Sequence, residues 1–316
     1  MVEKTNEFTH ISVLLEESIK SLNIQPEGIY VDATCGGAGH ACKILSQLTG
    51  NGKLYCFDKD EDALNVANVR LSAISDKFVL IHDDFSKLKE RLTSLGVNKI
   101  DGIIFDIGVS SYQFDTPERG FSYKFDARLD MRMDKSSMLS AYEVVNSYSE
   151  DRLADIFLRY GEEKYAKRIA RNIILTRNTK PIETTTQLVD VIKKSLPPYE
   201  LNKKGHPAKQ VFQALRIEVN GELDALETGL EQAMSMLSSK GRCEVITFHS
   251  LEDRIVKKIF KNATDNGSDS IKGLVNLNQK EVLFKLVNKH PIVASDAELE
   301  RNNRAHSAKL RIIEKI

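Results

Sequence analysis

Acidic side chains stand at the ends of successive apolar segments in the first third of the chain. Asp32, Asp58 and Asp106 each close a run of mainly hydrophobic residues. If those runs are parallel strands, their carboxyl ends meet along one edge of a sheet, where open α/β folds bind nucleotide-like ligands. Carboxylates at that edge would attract a cation and accept hydrogen bonds from ribose hydroxyls. The pattern predicts a cofactor with a positive charge and no phosphate.

A glycine-rich turn follows the first of these runs. The segment Asp32-Ala-Thr-Cys-Gly-Gly-Ala-Gly-His40 leads into a helical pattern, so backbone N–H groups would face a ligand. Dehydrogenases, flavoproteins and methyltransferases all use such a turn, but the dinucleotide fingerprint G-x-G-x-x-G fails because Cys42 replaces its third glycine. S-adenosylmethionine carries an ammonium and a sulfonium, and it is the cofactor that this turn and Asp32 predict.

The other strand ends offer further contacts, each with an alternative. Asp58 could bind both ribose hydroxyls, or it could cap a helix that starts at Glu61. In Asp83-Asp84-Phe85, a carboxylate could receive the adenine amino group and the ring could lie against adenine, although core packing suits Phe85 equally well. Asp106 follows an apolar strand next to the first one. A desolvated carboxylate there predicts a functional role close to the transferred group.

The elements that would position these residues alternate between strands and helices. Strands are predicted at 28–33, 53–58, 78–82 and 100–106, each followed by a helical pattern. This rhythm predicts an α/β fold with a doubly wound, Rossmann-like parallel sheet. Residues 114–210 contain helical patterns only. A long helix from Val211 to Leu237 should then lead to a fifth strand at 241–248, and the runs 282–287 and 309–316 should close the sheet.

The simplest organisation is therefore a catalytic domain formed by residues 1–113 and 211–316, interrupted by a helical insertion over 114–210. Formal net charge is zero, but residues 151–210 hold thirteen Lys and Arg against seven Asp and Glu. The stretch Lys164–Lys180 contains six basic residues and no acid. It could be a solvated helix face or a phosphate-binding surface.

The four cysteines show no zinc-ligand spacing, so no metal is predicted. Without a signal peptide or an apolar span, a cytoplasmic location is expected.

Several longer strings resemble the MraW/RsmH family, in order and over nearly the whole chain. They are the glycine-rich segment, Asp106-Ile-Gly-Val-Ser-Ser111, Pro117-Glu-Arg-Gly-Phe-Ser122, Arg128-Leu-Asp-Met-Arg-Met-Asp134, Phe212-Gln-Ala-Leu-Arg-Ile-Glu-Val-Asn220, Thr247-Phe-His-Ser-Leu-Glu-Asp-Arg254 and Ser307-Ala-Lys-Leu-Arg311. The resemblance implies a class I S-adenosylmethionine-dependent methyltransferase with an inserted helical domain and a last antiparallel strand. It also implies methylation of the exocyclic N4 amine of one cytosine in 16S ribosomal RNA, near the decoding (P) site of the small (30S) subunit.

The resemblance implies a set of cofactor contacts. The set is Ala38, Gly39, His40, Asp58, Phe85, Asp106 and Gln113. The position of Asp32 at the end of the first strand adds that residue to the set. Three positions depart from the family pattern: Ala38 replaces a usual Gly, Tyr112 a usual Pro, and Ser12 the Pro of the N-terminal motif. Whether the chain forms a homodimer stays open.

The residues that would contact the RNA substrate are less clearly indicated by the sequence than the cofactor contacts. Asp106 is expected to orient or deprotonate the cytosine amine, which is a poor nucleophile. A base that leaves its stack could be received by an aromatic ring, with Tyr112, Phe121 and Tyr123 as candidates. His249 and Ser250 follow the fifth strand and could face substrate, but Ser250 with Asp253 also fits a helix cap. Candidate phosphate contacts near the last strand are Arg304, His306, Lys309 and Arg311.

Two rival functions remain open from the sequence. One is an amino-methyltransferase for DNA or for another RNA on the same fold, although a Pro-Pro-aromatic motif at the end of strand four is missing. The other is a ribosome-assembly factor that binds the cofactor without turnover. The intact acids at three strand ends favour an enzyme.

Overall fold

A computed structural model describes residues 12–265 and 282–316 of the chain. The chain divides into two compact units, which we call the sheet unit (residues 1–108 and 223–316) and the helical unit (residues 109–222). The sequence predicted the division at 113/114 and 210/211, whereas the helical unit starts at Val109 and includes one more helix at its end.

Within the described residues, the sheet unit contains seven strands in the order β3-β2-β1-β4-β5-β7-β6. Strands β1 to β5 pair in parallel with their neighbours, whereas β7 is antiparallel to both β5 and β6. The predicted fold class is therefore confirmed. The strands are β1 (Ile29–Asp32), β2 (Lys53–Asp58), β3 (Phe78–His82), β4 (Ile100–Asp106), β5 (Leu237–Thr247), β6 (Phe284–Leu286) and β7 (Lys309–Lys315).

Helices cover both faces of this sheet, because the strands carry apolar side chains on both faces. One core contains Phe57 and Phe105, and the core on the opposite face contains Tyr30 and Ile104. In chain-wide numbering, the helices of the sheet unit are α1 (Leu15–Leu22), α2 (Gly39–Leu45), α3 (Glu61–Ser72), α4 (Leu88–Ser94), α12 (Glu222–Met236), α13 (Ser250–Thr264) and α14 (Asp296–Arg301).

The helical unit has its own core, built where amphipathic helices bury their apolar sides around Leu153, Phe157 and Leu215. Its helices are α5 (Ser111–Asp115), α6 (Ala141–Ser147), α7 (Glu150–Gly161), α8 (Ala166–Arg177), α9 (Thr185–Ser195), α10 (Pro198–Leu201) and α11 (Lys209–Asn220). Over residues 12–265 and 282–316, no helix is both long enough and apolar enough to cross a bilayer.

Strands β1 and β6 are shorter than expected by one to two residues at their ends, and two larger differences from the expected boundaries also occur. The long helix expected from Val211 to Leu237 is two helices, because Gly221 takes a left-handed φ of 60° and ends α11. Strand β5 begins at Leu237 rather than at Gly241, and an irregularity in its pairing with β4 accommodates the extra residues.

A carboxylic acid lies in the middle of β5 with no access to solvent. Glu244 is 0% exposed and sits opposite Ile104 of β4 and Ile312 of β7. Burial raises the pKa of Glu244 to about 8, although the nearby Ser21 hydroxyl and Arg242 favour the ionised form. Near neutral pH the folded protein therefore holds this acid mostly protonated, whereas the unfolded chain ionises it.

Replacing Glu244 with Gln is expected to stabilise the protein by an amount that grows with pH. The pKa of Glu244 rises on folding from 4.5 to about 8, so the wild type loses stability as pH rises through that window. The loss is up to about 1.4 kcal/mol per pH unit, and glutamine removes it. Urea denaturation at about pH 5.5 and about pH 7.5 measures the difference.

Glu314→Gln is the matched control for that measurement. Hydrogen bonds from Lys285 and Arg242 outweigh partial burial and hold the pKa of Glu314 below its usual value. This variant should therefore lose a similar amount of stability relative to the wild type at both pH values, because both lie above the usual pKa of a glutamate. A pH-independent difference between Glu244→Gln and the wild type would show that Glu244 does not titrate as argued.

Candidate active site

The glycine-rich turn joins β1 to α2 in a tightly constrained backbone. Ala38 precedes the helix with a left-handed φ of 59°, a conformation that costs an alanine roughly 1–2 kcal/mol and a glycine almost nothing. A Cβ built on Gly39 would lie 1.8 Å from the Ser12 hydroxyl, so any side chain at this position would force Ser12 to move. The N-terminal N–H groups of α2 therefore begin directly at the carboxyl edge of the sheet, where they can face a ligand.

Asp32 ends β1 beneath this turn. It is 1% exposed, and its Oδ1 accepts the Thr34 N–H at 3.1 Å. Burial, together with the smaller effect of the neighbouring Asp58 carboxylate, raises the pKa of Asp32 to about 7. An ionised Asp32 would be stabilised by a cation at this edge.

Asp58 ends β2 and holds the turn from its other side. Its carboxylate accepts the Gly36 N–H at 2.7 Å and the Asp60 N–H at 2.9 Å. Asp60, not Asp58, caps α3, because the Asp60 carboxylate accepts the Asp62 N–H. The helix-cap alternative for Asp58 is therefore wrong. Burial raises the pKa of Asp58 to about 6, despite these two hydrogen bonds.

Asp106 ends β4, the other neighbour of β1. Its backbone N–H donates to the Thr34 hydroxyl at 2.7 Å, and its Oδ2 lies 3.7 Å from Nδ1 of the buried His40. Its Oδ1 is screened from solvent and has no hydrogen-bond partner within residues 12–265 and 282–316. Burial raises the pKa of Asp106 to about 8, with smaller contributions from Asp32 and Glu252.

Thr34 was not identified from the sequence, although it links the ends of β1 and β4. Thr34→Val is expected to lower the free energy of unfolding by about 1–3 kcal/mol, because the Asp106 N–H loses its acceptor. Thr34→Ser keeps a hydroxyl and should lose much less. Urea denaturation of both variants compares them, and equal stabilities would contradict a structural role for this hydrogen bond.

These three carboxylates belong to adjacent strands, because β1 lies between β2 and β4. Their mutual repulsion and burial favour a cationic ligand, and the orphaned Oδ1 of Asp106 provides a free acceptor. Asp58 keeps a second lone pair on each carboxylate oxygen for vicinal hydroxyls. Within the described ranges, no group of three His, Cys, Asp or Glu residues is arranged to hold a metal ion. The edge therefore fits S-adenosylmethionine in charge and in acceptor placement.

The end of β3 carries acids that already have protein partners. Asp83 is paired with Lys87 and Arg91, and Asp84 with Lys59 at 2.8 Å. The half-buried Phe85 ring packs edge-on against Phe105, with centroids 5.5 Å apart. A Cβ on Gly229 of α12 would meet that ring at 2.7 Å. One side of the Phe85 ring is therefore packed in the core. Contact between adenine and the other side of the ring stays a prediction.

The end of β5 is organised by a capping pair that the sequence analysis missed. His249, not Ser250, caps α13: its Nδ1 accepts the Glu252 N–H at 3.4 Å, and its Nε2 lies 2.8 Å from Glu252 Oε1. The suggested Ser250–Asp253 cap is therefore wrong. Asp253 instead binds Arg311 at 2.6 Å and Lys309 at 3.2 Å. The spacing of His249 and Glu252 was the available signal, but histidine is an uncommon cap.

The remaining predicted residues lie elsewhere in the two units. In the sheet unit, Ser250 and Arg304 are exposed. In the helical unit, Gln113 is buried and forms a capping box with Ser110, with hydrogen bonds of 3.1 and 3.2 Å. Tyr112 is 48% exposed, whereas Phe121 is buried in the core. Tyr123 stacks on His206 with centroids 4.2 Å apart.

Comparison with known proteins adds a family and several relatives. The profile of the MraW methylase family matches residues 7–316. Ribosomal RNA small subunit methyltransferase H of Streptococcus pyogenes is 54% identical over 315 residues, covering 99% of each chain. Among solved structures, an rRNA methylase from Streptococcus thermophilus is 14% identical with a TM-score of 0.44, covering 97% of this chain and 99% of that one. SMU.1697c of Streptococcus mutans, solved in complex with SAH, is 13% identical with a TM-score of 0.43, covering 97% and 100%.

Proposed function

This chain belongs to the MraW methylase family, and we propose that it methylates the exocyclic N4 amine of one cytosine in 16S ribosomal RNA near the decoding (P) site. It is an S-adenosylmethionine-dependent methyltransferase on a class I fold. The observation that carries the proposal is the row of carboxylates at the ends of β2, β1 and β4, of which Asp32 is buried and Asp58 and Asp106 are partly buried. Within residues 12–265 and 282–316, Oδ1 of Asp106 has no hydrogen-bond partner.

Each of these carboxylates has a distinct part in holding the cofactor. Asp58 would accept hydrogen bonds from the ribose hydroxyls, and Ala38, Gly39 and His40 at the N-terminus of α2 would hold the ligand. Asp32 supplies negative charge beneath the turn. Phe85 would offer the free side of its ring to adenine, and Gln113 is a further cofactor contact that the family resemblance implies. The bound cofactor supplies an electrophilic methyl group on a sulfonium.

Asp106 acts on the substrate amine. The lone pair of the cytosine amine is delocalised into the ring, so the enzyme must align the nitrogen with the methyl group and accept its hydrogens. Positioning of this kind is worth up to about 7–11 kcal/mol in favourable cases. The Oδ1 of Asp106, which has no partner within residues 12–265 and 282–316, would accept an amine hydrogen. Burial raises the pKa of Asp106 to about 8 in the free protein, so this role requires a cationic ligand nearby that favours the ionised carboxylate.

The helical unit is the RNA-recognition domain in this proposal. The target base leaves its stack to reach the site. Tyr112, with its ring 48% exposed, is a better receiving surface than the buried Phe121 or the stacked Tyr123. Around the end of β5, the substrate contacts are His249, Ser250, Arg304 and Lys309. The substrate is 16S RNA within the small subunit. The enzyme therefore works in the cytoplasm. Whether it acts as a homodimer stays open.

The test is methyl transfer to isolated small subunits and to naked 16S RNA, with the product mapped by mass spectrometry. The proposal expects one N4-methylcytosine near the P site. A modified base of another kind, or methylation of DNA, would support a different amino-methyltransferase. Cofactor binding without transfer to any substrate would support an assembly factor instead.

A further inference from the structure

We propose that α8 and α10 of the helical unit form a binding surface for single-stranded RNA, with phosphates along α8 and a base stacked on Tyr199. We call this surface the basic–aromatic face; it consists of Lys164, Lys167, Arg168, Arg171, Tyr199 and Lys203. The proposal rests on the proposed ribosomal RNA substrate and adds to it where the helical unit holds that RNA.

Three cations of α8 and one in the turn just before it are exposed to solvent. Lys167, Arg168 and Arg171 belong to α8 and Lys164 precedes it, while the helix buries Ile169 and Ile173. The spacing of Lys167, Arg168 and Arg171 places these three on neighbouring turns of one side of α8. None of them forms an ion pair within residues 12–265 and 282–316. A row of unneutralised cations at this spacing matches the charge pattern of a nucleic-acid backbone.

Glu200 of α10, which lies within the field of Lys164, does not neutralise that row. No Asp or Glu occurs between Lys164 and Lys180. Glu200 of α10 lies close enough for the field of Lys164 to reach it, but Glu200 is hydrogen-bonded to Lys203 at 2.7 Å and accepts a hydrogen bond from the Tyr165 hydroxyl at 3.3 Å. The positive charge of α8 is therefore available to a partner.

Tyr199 places an exposed aromatic ring beside these cations. The ring is 61% exposed, yet its hydroxyl is hydrogen-bonded to the hydroxyl of Tyr165, the residue just before α8. Lys203 Nζ lies 5.6 Å from the ring centroid. An exposed tyrosine usually keeps its rotamer freedom, whereas this one is oriented in advance, so stacking on it costs less entropy. Exposed rings next to cations are the common platform for unpaired bases.

The combination favours a single strand over a duplex, since only an unpaired base can stack on a side chain while its phosphates follow a helix. A merely solvated helix face would explain the charges of α8. It would not explain why an exposed tyrosine is fixed beside them.

The experiment measures binding of a fluorescently labelled, single-stranded oligoribonucleotide to the full-length chain by anisotropy at several salt concentrations. The triple variant Lys167→Ala/Arg168→Ala/Arg171→Ala should lower the slope of log K against log salt by about 2, because three phosphate contacts on a single strand each contribute about 0.7. The control triple Lys257→Ala/Lys258→Ala/Lys261→Ala removes the same charge with the same spacing from the exposed side of α13. It should change the slope much less.

A second pair of variants isolates the ring. Tyr199→Ala should weaken binding by about 5- to 150-fold, while Tyr199→Phe keeps a stacking surface and should stay near the wild type. Equal effects of the two triple variants, or unchanged binding by Tyr199→Ala, would overturn the proposal, as would tighter binding of the matching duplex. Wild-type protein that binds the oligonucleotide but methylates no small subunit would refute the proposed function and leave this surface standing.

Discussion

Asp106→Asn is expected to lower the rate of methyl transfer to small subunits by about 10²- to 10⁴-fold, the usual contribution of a positioned proton acceptor. The amide keeps the size of the side chain and its backbone hydrogen bond to Thr34, so the fold should persist. Asparagine cannot take a proton, however, and its neutral side chain attracts the cationic cofactor less. Single-turnover methylation with saturating cofactor separates the two losses.

Stability gives this prediction a second readout. Because burial raises the pKa of Asp106 to about 8, its ionised form is costly in the folded protein at alkaline pH. Asp106→Asn should therefore be at least as stable as the wild type near pH 8. Asp101→Asn is the control: Asp101 lies at the opposite end of β4, where it accepts the Ile29 N–H at 2.8 Å. Near-normal turnover by Asp106→Asn would refute the catalytic role.

Cofactor affinity is expected to rise as pH increases from about 6 to about 8. In the free protein, burial raises the pKa of Asp58 to about 6, of Asp32 to about 7 and of Asp106 to about 8. A cation stabilises the ionised carboxylates, so its binding lowers these pKa values and releases protons. Each proton released strengthens binding by up to tenfold per pH unit, until the pH passes the pKa values of the free protein.

Calorimetry in two buffers of different ionisation enthalpy measures the protons released. S-adenosylhomocysteine is the matched control, because it shares the amino group of S-adenosylmethionine but lacks the sulfonium charge. The difference in pH dependence between the two ligands isolates the sulfonium. Proton release should vanish near pH 9, where the carboxylates are already ionised. Identical pH dependence for both ligands would show that these carboxylates do not respond to the sulfonium charge.

The strands of the sheet could be predicted from the sequence because each is defined by neighbouring residues along the chain. Strands β2, β3 and β4 were predicted with their observed limits, since each is a short apolar run between turn residues. The acids at the strand ends were identified for the same reason. Topology then follows, because parallel strands joined by helices must place their carboxyl ends at one edge.

Only the tertiary structure decided how these residues are paired. Thr34 and Asp106 are 72 positions apart, and nothing local shows that one hydroxyl accepts the other's N–H. The capping of α13 by His249, the break at Gly221 and the packing of Phe85 against Phe105 also depend on neighbours or on backbone angles. Hydrophobic periodicity reports which side of an element is buried, whereas hydrogen bonds and ring contacts depend on which elements become adjacent in space.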